Sequence, residues 1–214
     1  MKKFELISEF VTNVFGKKLF RIKALVSFGD VSAGELGGFV EKEENLSNNG
    51  DAWVSGDAWV SGNARVSGDA WVSGNARVSG NARVSGNAQV SDNARVSGNA
   101  RVSGDARVSG DALVSDNARV SGNAWVSGDA LVSGNADFSV VTGFGRCFRA
   151  TTFFRCKDKI LRVQCGCFYG DLAKFREIVK KTHGDSKYAK EYLAIADLME
   201  LHFSDEEENQ EADK

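Results

Sequence analysis

Residues 51–62 read DAWVSGDAWVSG, and the same six-residue pattern continues without an insertion to Ala136. Each unit is Ala-x-Val-Ser, then Gly or Asp, then Asp or Asn, and Val occupies every sixth position from Val54 to Val132. A period held this strictly is typical of a solenoid, in which each unit buries its apolar side only against its neighbours. The repeat therefore decides the fold class, and we expect function on the outer faces and at the two ends.

The position of each residue within the unit predicts its direction. Alternate residues of a strand face opposite sides, so Ala and Val point inward while x and Ser point outward. The Gly-Asn, Gly-Asp and Asp-Asn pairs are turn residues, because they tolerate positive φ and Asx side chains bond to nearby backbone. Each unit is therefore predicted to be one short strand followed by one corner.

A small residue two positions before an aliphatic one, repeated every six residues, resembles the hexapeptide repeat of left-handed parallel β-helices. The resemblance covers residues 51–136 and implies a mainly β protein with about five triangular coils of three hexads each. The left-handed winding follows from the resemblance and not from the period itself.

Three hexads per coil would stack residues eighteen apart and sort the x positions into three faces. The first face carries Trp53, Trp71, Gln89, Arg107 and Trp125. The second carries Trp59, Arg77, Arg95, Leu113 and Leu131. The third carries Arg65, Arg83, Arg101, Arg119 and Asp137, and the corners that precede it are Asn63, Asn81, Asn99, Asn117 and Asn135.

The third face is the candidate binding surface, with its four Arg side chains and the neighbouring Asn63, Asn81, Asn99 and Asn117. Stacked guanidiniums favour an array of phosphates or carboxylates, or an acidic partner. The alternative is that Arg covers a strand while staying solvated. Asp side chains at the corners nearly balance the Arg side chains of the solenoid, so a nucleic acid is not the expected partner.

Trp53, Trp59, Trp71 and Trp125 are candidate interface residues, and the first three cluster on the first two coils. They would be exposed on a bare solenoid, and large apolar patches usually mark contacts. Either a terminal segment of the same chain folds over them, or they bind another copy in a trimer or dimer, or they bind a foreign partner.

Residues 1–48 form a predicted N-terminal β cap, with strands over Phe4–Val11 and Leu19–Leu25 and a turn at Asn13-Val14-Phe15-Gly16. A cap is needed because an open solenoid end exposes a sheet edge and a dry core. Residues 28–47 then read FGDVSAGELGGFVEKEENLS, which resembles a family of bacterial and phage proteins catalogued as hexapeptide-repeat transferases or as phage proteins of unknown function.

The period is lost after Phe138, and we place the end of the solenoid, residues 49–144, before a C-terminal α/β module over residues 145–203. Strands are predicted over Thr151–Cys156 and Ile160–Phe168, and helices after Asp171 and after Asp185 or Ser186. The helices should cover one face of the hairpin, made of Thr152, Phe154, Cys156, Leu161, Val163, Cys165 and Cys167. Residues 204–214 are acidic and predicted to be disordered.

We expect a cytoplasmic protein, in the host cytoplasm if phage-encoded, because no secretion signal or membrane span is seen. The cysteines are therefore expected to be free core thiols: Cys147, Cys156, Cys165 and Cys167. The alternative is a zinc site of Cys156, Cys165, Cys167 and His183, but Cys-x-Cys on a strand lacks the usual knuckle spacing. We expect no metal, no cofactor and no membrane contact. The net charge of −2 indicates no general polyanion affinity.

Hexapeptide-repeat acyltransferases use a His on the solenoid as general base, whereas residues 51–136 contain no His, Cys or Lys. The expected function is therefore non-catalytic: a binding or scaffold protein, of phage or prophage origin by the resemblance, that binds a host protein or an anionic ligand stoichiometrically. An acyltransferase-like enzyme and a self-assembling structural protein are the alternatives.

Overall fold

The computed structural model describes residues 2–204, so residues 205–214 of the acidic segment lie outside the described part. The repeat region is a parallel β-solenoid of about five turns, and its strands are two residues long, an x residue and its Val. Three strands precede it: β1 (Phe4–Thr12), β2 (Lys18–Ala24) and β3 (Leu36–Val40). The solenoid strands are β4 (Trp53–Val54), β5 (Trp59–Val60), β6 (Arg65–Val66), β7 (Trp71–Val72), β8 (Arg77–Val78), β9 (Arg83–Val84), β10 (Gln89–Val90), β11 (Arg95–Val96), β12 (Arg101–Val102), β13 (Arg107–Val108), β14 (Leu113–Val114), β15 (Arg119–Val120), β16 (Trp125–Val126) and β17 (Leu131–Val132).

The eighteen-residue stacking that three hexads per coil imply is confirmed. Trp53 pairs with Trp71, Trp59 with Arg77, and Arg65 with Arg83, each in a parallel register. The repeat Ala residues from Ala52 to Ala130 and the Val residues from Val54 to Val132 are all buried, so the inward direction of both positions is also confirmed. The core is a closed column of small and β-branched side chains that runs the length of the solenoid.

The N-terminal strands are built into the solenoid and not set beside it. β1 and β2 form an antiparallel hairpin, and the Asn13 side chain accepts hydrogen bonds from the Phe15 and Lys17 amides in its turn. β3 pairs antiparallel with β2 and parallel with β5. The second face of the solenoid is therefore continuous with the cap in one eight-stranded sheet, β1-β2-β3-β5-β8-β11-β14-β17.

Two buried side chains complete the cap where no strand precedes the first coil. Each coil donates its amides to the carbonyls of the next coil, as Trp53 N does to Ala70 O, so the carbonyls of the first coil need other donors. Lys3 Nζ donates to Gly50 O and Ala52 O, and Asn45 Nδ2 donates to Gly62 O and Ala64 O. These side chains replace the missing strand and end the open edge.

Glu41 ties the cap to the first coil, and this contact is predicted to be acid-sensitive. Its Oε2 accepts from the Gly62 amide at 2.7 Å and its Oε1 from Lys17 Nζ at 3.0 Å. The Gly62 hydrogen bond is the main reason that the pKa of Glu41 lies below its ordinary 4.5, with Lys17 adding to it against the opposing effect of burial. A lowered pKa means that the carboxylate stabilises the fold above pH 4.5 and that this contribution is lost as the pH falls through the folded-state value.

Glu41→Gln keeps an acceptor for Gly62 N but removes the charge, so we expect a lower urea midpoint than wild type at pH 7. The difference in urea midpoint between Glu41→Gln and wild type should disappear as the pH falls below about 4. Glu44→Gln, at an exposed carboxylate of the same segment, serves as the control. A Glu41→Gln protein as stable as wild type at pH 7 would show that the charge contributes nothing.

The C-terminal module is a four-stranded antiparallel sheet with two helices. Its strands are β18 (Phe138–Val141), β19 (Thr151–Arg155), β20 (Leu161–Cys165) and β21 (Phe168–Asp171), and its helices are α1 (Leu172–His183) and α2 (Lys187–Phe203). The predicted caps are confirmed: Asp171 accepts from Lys174 N, Gly184 ends α1, and Ser186 accepts from Ala189 N. β18 precedes residue 145, where the sequence placed the module's start, and pairs with β19.

The predicted faces of the hairpin were wrong. Phe153 lies opposite Val163, and Phe154 lies opposite Arg162, so Phe154 and Val163 are on different faces. Phe153 packs with the helices, whereas Phe154 and Cys156 join the solenoid core and close its C-terminal end. The second predicted strand also ends at Cys165, because a turn at Gly166 and Cys167 leads into β21.

Within residues 2–204, neither helix is both long and apolar enough to cross a membrane.

Candidate functional site

The arginine face is the four-stranded sheet β6-β9-β12-β15, and it places Arg65, Arg83, Arg101 and Arg119 side by side. All four side chains are exposed, on strands whose Val residues are buried. Backbone hydrogen bonds of 2.9 Å from Arg65 N to Ala82 O and from Arg83 N to Ala100 O fix the register. The side chains therefore leave the sheet at the strand spacing of about 4.8 Å.

The four guanidiniums have no salt bridge and no aromatic contact among the residues that the structure describes. Two other solenoid arginines differ, since Arg77 lies 4.7 Å from the Trp59 ring and Arg107 lies 5.9 Å from the Trp125 ring. The arginine face thus keeps its donors available to a ligand, whereas Arg77 and Arg107 cover indole rings.

The asparagines beside the arginine face form a ladder with one another. Asn63 Nδ2 donates to Asn81 Oδ1 at 3.2 Å, Asn81 to Asn99 at 3.1 Å and Asn99 to Asn117 at 3.2 Å. Lys42 Nζ donates to Asn63 at the N-terminal end of this ladder. Each side-chain amide inside the ladder already uses one donor and one acceptor in hydrogen bonds to its neighbours. The first role of these residues is therefore to hold the coils in register.

The arginine face ends at Arg119 and not at Asp137. The sequence placed Asp137 as a fifth outward residue, but residues Asn135–Asp137 form a 3₁₀ turn. The Asp137 carboxylate accepts from Ser133 N, Ser133 Oγ and Gly134 N, and these bonds lower its pKa despite partial burial, which alone would raise it. Asn135 Oδ1 accepts from Arg119 N, so this turn terminates the sheet of the arginine face.

A groove of about 640 Å³ lies at the N-terminal end of the arginine face. Arg65 and Arg83 line it, together with Glu43 and Glu44 of the 3₁₀ turn Glu43–Asn45. Glu43 is paired with Lys2 at 2.6 Å, so Glu44 is the carboxylate left to face a ligand there. The groove at this end of the arginine face therefore combines arginines with carboxylates.

The four candidate interface tryptophans have different environments. Trp53 is completely buried in its own chain, because the Phe28 ring packs edge-on against it at 5.4 Å, so it cannot be an interface residue for a partner. Trp59, Trp71 and Trp125 are half-buried. Trp71 and Trp125 donate to Ser55 and Ser109 of the preceding coil, which holds both indoles flat along the first face.

The cysteines are unlike the expected set of core thiols. Cys156 is buried and Cys165 partly buried, but Cys147 and Cys167 are exposed. Cys156 packs with the solenoid core and Cys165 with the helices, on opposite faces of the sheet, so the zinc set considered from the sequence is not assembled. No cluster of three or more His, Cys, Asp or Glu side chains suited to a metal is present within residues 2–204.

The sequence did not indicate a cleft in the C-terminal module, which Arg146, Cys147 and Arg149 border. These residues follow the end of the period and carry no spacing signal. Only the folding of their loop against α1 and α2 brings them together.

The YdcK beta solenoid repeat family model matches five segments of the chain, residues 58–74, 76–92, 88–104, 100–115 and 112–128. All five lie inside the solenoid, so the chain is similar to that family in its repeat and not over the cap or the C-terminal module. No curated protein matches the chain.

Proposed function

We propose that this β-solenoid protein is a non-catalytic binding scaffold whose arginine face binds an extended acidic segment of a protein partner. The observation that carries the proposal is the set of four adjacent exposed guanidiniums that form no salt bridge and no ring contact within residues 2–204. A guanidinium without a partner can bind a carboxylate through two parallel N–H···O hydrogen bonds. Because the guanidiniums repeat at the strand spacing, the face suits a partner that is itself extended.

The resemblance of residues 28–47 to bacterial and phage proteins supports a phage or prophage accessory protein that acts on a host protein. The absence of His, Cys and Lys from residues 51–136 supports a function without acid–base or nucleophilic chemistry on the solenoid. Acidic segments of host proteins are then the class of partner in which to search.

Arg83→Glu with Arg101→Glu should abolish binding of an acidic peptide without unfolding the protein. A fluorescent peptide of alternating Glu and Thr is the probe, and the same peptide with Gln in place of Glu measures the contribution of charge. We expect at least a tenfold loss of affinity by fluorescence anisotropy at low salt, and wild-type binding that weakens as salt is added.

The matched control is Arg77→Glu with Arg95→Glu, an identical charge change on stacked strands of the second face. It should weaken binding much less than the change on the arginine face. Equal losses in the two double variants would show that only net charge matters, and the arginine face would then be solvated surface.

Self-association through the second face is a second candidate, favoured by a specific feature. The hairpin tip holds Val14 and Phe15, which are 90% and 84% exposed, over a groove of about 360 Å³ that Trp59 and Leu113 also line. An apolar tip above an apolar groove suits a dimer or trimer. Light scattering of wild type and of Phe15→Ser tests it, since an oligomer held by this surface should dissociate in the variant.

A further inference from the structure

The C-terminal module contains a cleft of about 340 Å³, within the range of about 300–1,000 Å³ that small-molecule sites occupy. Its floor is mostly apolar and lies between the sheet and both helices. The floor residues are Phe168, Phe175, Ile178, Val179 and Tyr192. The module thus surrounds a space of ligand size with aromatic and branched side chains.

The mouth of the cleft is cationic. Arg146 and Arg149 border it from the segment between β18 and β19, and both are exposed. Neither forms a salt bridge with another residue in the part of the chain that the structure describes. The nearby carboxylate of Glu191 accepts from Gly145 N at 2.9 Å and lies 3.5 Å from Lys187 Nζ, so it is already engaged.

The segment that carries the two arginines is held in an unusual backbone conformation. Phe148, between them in sequence, has a φ of +51°, which is a strained value for a bulky side chain. Its ring is 71% exposed, so the strain is not offset by burial of the ring. Gly145 packs so closely on the Tyr192 phenol that a Cβ at this position would overlap it. Strain of this kind is concentrated at ligand sites, because the surrounding structure must hold the segment there.

We propose that this cleft binds a small organic anion with an aromatic body, such as an aryl carboxylate, whose ring enters the apolar floor and whose carboxylate meets Arg146 and Arg149. Burial of apolar ring surface supplies affinity, and the two guanidiniums at the mouth select the anion over a neutral analogue. Burial raises the pKa of Tyr192 to about 12, with Cys165 and Cys147 adding to the shift, so the phenol keeps its proton at neutral pH. The ligand therefore meets no phenolate charge inside the cleft.

The direct test is calorimetric titration of the whole protein with 2-naphthoate and with the neutral 2-naphthalenemethanol. We expect saturable one-to-one binding of 2-naphthoate and at least tenfold weaker binding of the alcohol. Arg146→Gln with Arg149→Gln should weaken the binding of 2-naphthoate at least tenfold, because it removes both charges from the mouth of the cleft. Both side chains are exposed, so their loss should not unfold the module. Ile178→Trp, which fills the floor, should block both compounds.

Arg77→Gln with Arg95→Gln is the matched control, since it removes two stacked arginines from the second face of the solenoid and leaves the cleft intact. It should bind 2-naphthoate like wild type. Failure of wild type to saturate by about 1 mM, or equal binding by both double variants, would overturn the proposal. The proposed acidic-peptide binding of the arginine face is independent of either result.

The cysteines provide a second readout of the same site. Cys147 and Cys167 are both exposed, but only Cys147 lines the cleft. Saturating 2-naphthoate should slow alkylation of Cys147 by iodoacetamide at least fivefold, as measured by mass spectrometry, and leave Cys167 unchanged. Equal protection of both thiols, or of neither, would contradict binding in this cleft.

Discussion

Val90→Asp is expected to abolish the folded solenoid, with a loss of about 4 kcal/mol or more in the free energy of unfolding. Val90 is completely buried between Val72 and Val108 in a column that contains only apolar side chains. A carboxylate at this position has no hydrogen-bond donor within reach. Because many domains have a total stability of only about 5–15 kcal/mol, a loss of this size is enough to unfold the solenoid. Circular dichroism and urea unfolding measure the effect.

Gln89→Asp is the matched control, because Gln89 is the exposed neighbour of Val90 on the same strand. It places the same carboxylate in the same coil with the same strand partners, and it should change stability by less than about 0.5 kcal/mol. A soluble, folded Val90→Asp protein with wild-type stability would refute the inward direction of the Val column.

Asn45→Asp should have the second largest effect, although it changes a single side-chain group. Both Asn45 Nδ2 protons are used, one on Gly62 O and one on Ala64 O, and the residue is completely buried. The carboxylate would lose both donors and place its charge against two carbonyl oxygens. We expect a cost of about 3 kcal/mol or more at neutral pH, first seen as loss of the N-terminal cap.

The pH dependence separates this mechanism from simple loss of packing. Burial against carbonyls raises the pKa of the introduced Asp, so the folded variant binds a proton more readily than the unfolded chain does. The loss of stability in Asn45→Asp relative to wild type should therefore shrink as the pH falls from 7 to about 4. Asn49→Asp, at an exposed site of the same segment, should show neither the cost nor the recovery. A deficit that does not depend on pH would contradict the charge-based explanation.

The sequence predicted the solenoid correctly because one short-range rule is repeated in every unit. The inward Ala and Val follow from the period, and three hexads per coil follow from the resemblance to hexapeptide repeats. The strand pairs confirm both, and they confirm the predicted faces except for Asp137. The same rule could not predict that Trp53 is buried while Trp71 is half-buried, since both lie in an identical DAWVSG unit. The packing of the cap, through Phe28 and Gly37, distinguishes them.

The C-terminal module was harder because its central strand is buried on both sides. The residues of β19 from Thr151 to Phe154 are all buried, so burial does not follow the alternation that usually identifies the core face of a strand. The candidate site shows the same division: the arginine face follows from the period, and the cleft beside Arg146 and Arg149 depends on tertiary packing.

The measurement that tests the arginine face most directly is a two-dimensional ¹⁵N spectrum of the arginine side-chain Nε–Hε groups during titration with the Glu-Thr peptide. Single Arg→Lys variants assign the signals. The account predicts saturable shifts of the Arg65, Arg83, Arg101 and Arg119 signals, while those of Arg77 and Arg95 stay in place. Shifts of equal size at all solenoid arginines, or shifts limited to Arg77 and Arg95, would contradict it.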